Sequence, residues 1–229
     1  MLSFMKMSLR MIGLLVVLVQ PCIAAAAHVP DTQGMDAENG SEHIEWPSRR
    51  ALRAAAYNPN PFRPGMITLK DVPLDRTFTD TEYGVKLQYP SSWEVIDARQ
   101  ETPPLTLVVM FLSPEEEEQR GIRQNANLVV EELASELSLP EYTNLGIAME
   151  REFFENYTLV TSENILLAGA YRAHRVVFTA ALSGGEMTFE QIWLLRSKTA
   201  HVWTFADSAG TFDEHVVTFR KMMDTLTVR

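Results

Sequence analysis

The chain has 229 residues, 46% of them hydrophobic and 22% charged, with a formal net charge of −10. That length suits one domain plus an extension, and the apolar share excludes a wholly disordered chain. The acidic balance excludes bulk-charge binding to nucleic acid or anionic lipid. The single cysteine, Cys22, excludes a disulfide framework.

Lys6 and Arg10 precede an uncharged apolar run from Met11 to Val19, and Gln20-Pro21 then leads to four alanines ending at Ala27. This order of positive, apolar and small residues predicts a signal peptide over 1–27, cleaved near Ala26 or Ala27. The apolar run is far shorter than the roughly 20 residues needed to span a bilayer. Gln20-Pro21 is a poor lipoprotein cleavage context, so lipidation of Cys22 is not expected. Cleavage removes Cys22 and leaves 18 basic and 30 acidic residues, a net charge of −12. The predicted product is exported, periplasmic or secreted, and its mature domain is soluble.

Residues 28–72 carry Pro30, Pro47, Pro59, Pro61 and Pro64 without apolar periodicity. They predict a flexible linker with one or two helical turns over 48–56, because so little apolar surface cannot offset chain entropy. Trp46 is an aromatic in a polar arm with no core to join, which suits docking onto the domain or a partner. The folded domain is predicted over 73–229. Glu115 to Glu118 reads as a solvated acidic run.

Strand signals follow. Val85, Leu87 and Tyr89 alternate with Lys86 and Gln88, and Pro90 ends the strand. Residues 105–112 form a nearly all-apolar strand, and 128–133 and 159–166 are two more. From Tyr171 to Asp207 the pattern predicts a three-strand meander. With Gly184-Gly185 as its first turn, Leu182, Ala180, Phe178 and Val176 face Met187, Phe189, Gln191 and Trp193. With Lys198-Thr199 as its second, Leu195 lies opposite Val202 and Leu194 opposite Trp203. Ile192, Leu194, Trp203 and Phe205 then share the second face. Both faces are apolar, so both need cover.

Two helices can supply it. Ser138-Leu-Pro-Glu141 is a capping box with proline in the first turn. Leu139, Tyr142, Leu145, Met149 and Phe153 follow at spacings of three and four. Thr211-Phe-Asp-Glu214 reads as a second capping box, followed by the stripe Phe212, Val216, Phe219, Met223 and Leu226. The class is α+β: a central, mainly antiparallel sheet of about six to eight strands, flanked by helices on both faces.

The segment Tyr83-Gly-Val-Lys-Leu-Gln-Tyr-Pro-Ser-Ser-Trp93 resembles the opening motif of the PsbP-like family, which includes DcrB-type bacterial domains. Phe111-Leu-Ser-Pro114, Asn125-Ala-Asn-Leu-Val-Val130, the meander and the last helix follow in the family's order. The resemblance covers about 78–228. It implies an α/β/α sandwich, and a role in binding without catalysis, as in an extrinsic photosystem II protein and a GTPase-binding relative. The leader is of bacterial type, which points away from a plastid role.

No nucleophile elbow, HExxH, CxxC, P-loop or GxGxxG pattern occurs. Ser208 reads as part of the approach to the last helix. His174 is expected on the face of Trp193 and Val202, and His201 on the opposite one, so the two cannot share a metal. His215 lies on the last helix, and His28 and His43 lie in the linker. Trp93, Trp193 and Trp203 are expected in the core. Asn156-Tyr-Thr158 matches a glycosylation sequon that a bacterial origin leaves idle. No catalytic, cofactor-binding or metal residues are therefore expected, and no cofactor. The sequence predicts a non-enzymatic exported binding or accessory protein of the cell envelope with a protein partner. The alternatives are a small-ligand or metal-binding periplasmic carrier and, less favoured, a hydrolase.

Overall fold

The computed structural model describes residues 72–97, 99–114, 123–182 and 185–229. The predicted signal peptide, the linker up to residue 71 and the run Glu115 to Glu118 lie outside the described residues.

Among the described residues, eleven strands and two helices follow in order. They are β1 (Arg76–Asp80), β2 (Val85–Tyr89), β3 (Glu94–Ile96), β4 (Gln100–Thr102), β5 (Leu105–Leu112) and β6 (Asn125–Glu132). After them come α1 (Leu139–Phe153), β7 (Thr158–Leu167), β8 (Tyr171–Leu182), β9 (Gly185–Arg196), β10 (Thr199–Ser208), α2 (Phe212–Asp224) and β11 (Thr227–Val228). The large sheet runs β3-β5-β6-β10-β9-β8-β7, with β4 also paired to β5. Its pairings are all antiparallel. A separate three-stranded sheet, β1-β2-β11, was not foreseen, because β1 is polar and β11 has only two residues.

Both hairpin registers differ from expectation by two residues. Ala180 pairs with Met187 and Phe178 with Phe189. Leu194 pairs with His201 and Ile192 with Trp203. The first ladder ends at the pair Leu182–Gly185, so Gly185 already belongs to β9, with φ 125°; residues 183–184 lie outside the described residues. The second turns at Ser197-Lys198, with Ser197 in the left-handed region at φ 52°. A slip of two residues keeps every side chain on its face, because the strand period is two. The face assignments therefore hold.

One face carries Val176, Phe178, Ala180, Met187, Phe189, Trp193 and Val202, packed with Tyr142 and Phe154 from α1 and its cap. The other carries Ile192, Leu194, Trp203 and Phe205, packed with Phe212, Val216, Phe219, Met222 and Met223 of α2. The small sheet adds Val85, Leu87 and Val228 to that second cluster. Trp93, Trp193 and Trp203 are all buried.

The α1 capping box forms as expected, with Ser138 accepting from the Glu141 backbone N–H and Glu141 reaching back. The buried stripe differs, however. Tyr142, Thr143, Gly146 and Glu150 face inward, while Leu145 and Phe153 are exposed. Gly146 explains the rotation. A Cβ there would lie 2.6 Å from Trp193 Cη2, so a bare backbone lets α1 seat directly on the indole. The second capping box does not form: Thr211 makes no side-chain cap bond, and its hydroxyl goes to Asp207 instead. The predicted α2 stripe is buried throughout.

Two substitutions test this packing by urea denaturation. Phe219→Ala should cost about 3–5 kcal/mol, because Phe219 is fully buried and stacked on Phe205 at 5.5 Å. Gly146→Ala gains about 1 kcal/mol of helix propensity. It also forces the buried Trp193 to move, an overpacking cost of about 1–3 kcal/mol, so net destabilisation of up to about 2 kcal/mol is expected.

Candidate functional site

The sheet edge at β7 brings together three polar side chains. Asn164 pairs with His174 across the β7–β8 ladder, and Ser162 pairs with Val176. Residues two apart on a strand share a face, so Ser162, Asn164 and His174 point to the same side. His174 Nδ1 lies 2.9 Å from Asn164 Oδ1, and His174 Nε2 lies 2.8 Å from Ser162 Oγ. An amide oxygen only accepts, so Nδ1 carries the proton. Nε2 is then the lone-pair nitrogen, and the Ser162 hydroxyl donates to it. His174 is buried beside the Trp193 ring, at 6.3 Å between centroids. Burial pushes its pKa down, against a smaller upward pull from Glu163, which favours the neutral ring. Ser162 is exposed.

A second polar cluster sits where β10 meets α2. Asp207 Oδ2 lies 2.8 Å from His215 Nδ1 and accepts from Thr211 Oγ1 at 3.0 Å. Ser208 Oγ lies 2.6 Å from Thr211 Oγ1, and the Ser208 N–H donates to Asp207 Oδ1. Ser208 is the last residue of β10, and its hydroxyl joins the Thr211–Asp207 network that closes the turn into α2. Gln124 Nε2 lies 2.5 Å from His215 Nδ1 and ties β6 to the same cluster.

Three buried carboxyls complete the polar interior. Glu190 is fully buried and takes both Arg220 Nε and Nη2, the latter at 2.5 Å. Burial works against the Arg220 charge, but Glu190 outweighs it and the guanidinium pKa is raised. Glu131 accepts from the Tyr142 hydroxyl at 2.9 Å, fastening α1 to β6. Glu150 accepts from Tyr157 at 3.3 Å, and burial pushes its pKa from the ordinary 4.5 up to about 8.

The expected histidine placement holds. His174 shares the face of Trp193 and Val202, while His201 pairs with Leu194 on the other face, near the Tyr83 ring. Burial lowers the His201 pKa. Among the described residues no group of three or more His, Cys, Asp or Glu side chains is placed to hold a metal. Among them, too, no helix is long and apolar enough to cross a membrane. Asn156 of the sequon sits exposed in a left-handed turn at φ 55°. The Ser162–His174–Asn164 row was missed in the sequence. Its members are split across a hairpin and match no contiguous motif; only the β7–β8 register joins them.

No family model matches the chain, and no curated protein matches it either. Solved structures do. Cyanobacterial PsbP (CyanoP) from Synechocystis sp. PCC 6803 superposes with a TM-score of 0.50 at 13% identity, covering 67% of this chain and 92% of that one. The domain has a PsbP-like fold. A Pseudomonas aeruginosa protein of unknown function gives 0.46 at 15% identity over 67% of this chain and 96% of its own. LpqN, involved in cell envelope biogenesis of Mycobacterium tuberculosis, gives 0.48 at 11% identity over 67% and 89%. Within the PsbP-like opening motif, Gly84 has φ 64°, and a Cβ there would meet the Arg229 carbonyl oxygen at 2.8 Å. The Trp93 backbone N–H bonds the Pro90 carbonyl, and Trp93 joins the same core cluster as Val85 and Leu87. Gly84 and Trp93 of the motif thus hold backbone and core positions.

Glu150 yields a pH prediction. Its folded pKa lies above its unfolded one, so the folded state holds more protons between 4.5 and about 8. Stability should therefore fall as pH rises through that window. Glu150→Gln should flatten this part of the stability–pH curve, measured by urea midpoints across the range.

Proposed function

We propose that the chain is an exported accessory protein of the bacterial cell envelope that acts by binding another protein. In that role it has no reaction to catalyse and needs no cofactor. The PsbP-like fold, set behind an export-type leader, is the observation that carries this reading. The proposed organisation is a signal peptide over 1–27, a Pro-rich flexible linker over 28–72 and a PsbP-like domain over 73–229. The domain is read as an α/β/α sandwich, supported by the packing of α1 with one apolar cluster and of α2 with the other. The acidic balance argues against a nucleic-acid partner.

Fractionation of a bacterial host expressing the full chain with a C-terminal tag tests export. Mass spectrometry should find the new N-terminus near residue 27 and the protein outside the cytoplasm; an uncleaved cytoplasmic product would overturn the reading. Chemical cross-linking in intact cells, followed by recovery through the tag, should yield one reproducible envelope protein. Repeated recovery of the chain alone would refute the binding role.

A further inference from the structure

We propose that Ser162 is a nucleophile activated by His174 and positioned through Asn164, and that it accepts acyl groups from small activated esters. This reactivity is separate from partner binding and does not rest on it. The observation is geometric. Ser162 Oγ, His174 Nε2, His174 Nδ1 and Asn164 Oδ1 form one continuous hydrogen-bonded line with links of 2.8 and 2.9 Å. A nucleophile within hydrogen-bond reach of a base, which a third group orients, is the structural signature of nucleophilic catalysis on any fold.

Each member has the property its role requires. Asn164 accepts from Nδ1 and so holds the tautomer that leaves Nε2 basic. The lowered pKa of His174 keeps that nitrogen unprotonated near neutral pH. Ser162 is exposed on β7, which among the described residues pairs with β8 alone, so an ester can reach it. Apolar groups stand on the same strand: Leu159 lies on the same face, opposite Phe178, and Val160 is 60% exposed at the bulge between Leu159 and Thr161. An acyl chain of a few carbons is the class that surface suits. The Asp207–His215 pair differs, because there Ser208 and Thr211 turn their hydroxyls toward each other and the carboxylate.

The step balances with an ester and water as the only co-reactants. The Ser162 proton passes to His174 Nε2 as Oγ bonds the carbonyl carbon. The tetrahedral adduct collapses, the C–O bond to the leaving alcohol breaks, and the alcohol takes the proton from Nε2. The products are the Ser162 ester and the free alcohol. Water repeats the two steps, releases the carboxylic acid and restores the hydroxyl.

The test uses the full chain and p-nitrophenyl butyrate. Nitrophenolate release and the mass of the Ser162 peptide are followed together. The expected result is a burst of up to one equivalent and a butyryl adduct on Ser162. Ser162→Ala changes an exposed side chain and should abolish both. His174→Gln should slow acylation about 100-fold, the scale of a lost general base. Asn164→Ala should slow it less and shift the pH midpoint of the rate, which a merely structural hydrogen bond would not do. Urea midpoints check that each variant is folded. An adduct on other residues only, no adduct at all, or a burst unchanged in Ser162→Ala would overturn the proposal.

Discussion

The large sheet is apolar on both faces, and everything else in the domain answers to that. A row such as His174–Trp193–Val202–Val129 presents large side chains to one side, while Ile192, Leu194, Trp203 and Phe205 present as many to the other. Each face left in water would expose surface worth about 25 cal/mol per Å², so each must be covered. Tyr142 and Phe154, from α1 and its cap, pack into one cluster; α2 and the small sheet pack into the other. The two helices are fastened differently. Tyr142 bonds the buried Glu131 from α1, and Arg220 of α2 binds the buried Glu190. Buried charges and hydroxyls cost free energy unless partnered, so these bonds select one seating of each helix.

The last strand locks the opening motif of the described domain. β11 pairs with β2, Arg229 donates to the Gly84 carbonyl, and the Tyr171 hydroxyl bonds the Val228 backbone. Arg196 donates to the Val228 carbonyl from the large sheet. Gly84 is therefore needed twice, for its positive φ and for the space that Arg229 occupies. Tyr83 to Trp93 is the seam where the small sheet joins the core.

The polar row on β7 illustrates how chemistry arises from register. Ser162 and Asn164 are two apart, and His174 lies ten residues beyond Asn164 with the β7–β8 turn between. Shifting the ladder by one residue would send His174 to the opposite face, away from both partners. The turn at Ala168-Gly169 has both residues in the left-handed region, at φ 48° and 66°, and sets that register. Alternation revealed which face His174 takes. It carried no information on which β7 residue would stand opposite.

Local chemistry was sufficient for much of the rest. Period-two alternation placed β2 and the meander, and a nearly unbroken apolar run placed β5. Apolar spacing placed the α2 stripe, and Ser138-Leu-Pro-Glu141 placed the start of α1, since each signal is complete within a few neighbouring residues. Features that depend on distant partners were decided only by the tertiary structure. α1 turned its Gly146 side inward because Trp193 lies there, exposing Leu145 and Phe153. Thr211 gave up its cap because Asp207 competes for its hydroxyl. Strands β1 and β11 exist because β2 is there to pair with them. Hydrogen bonds and close packing act over a few ångströms, and only the folded chain brings residues so far apart in sequence within that range.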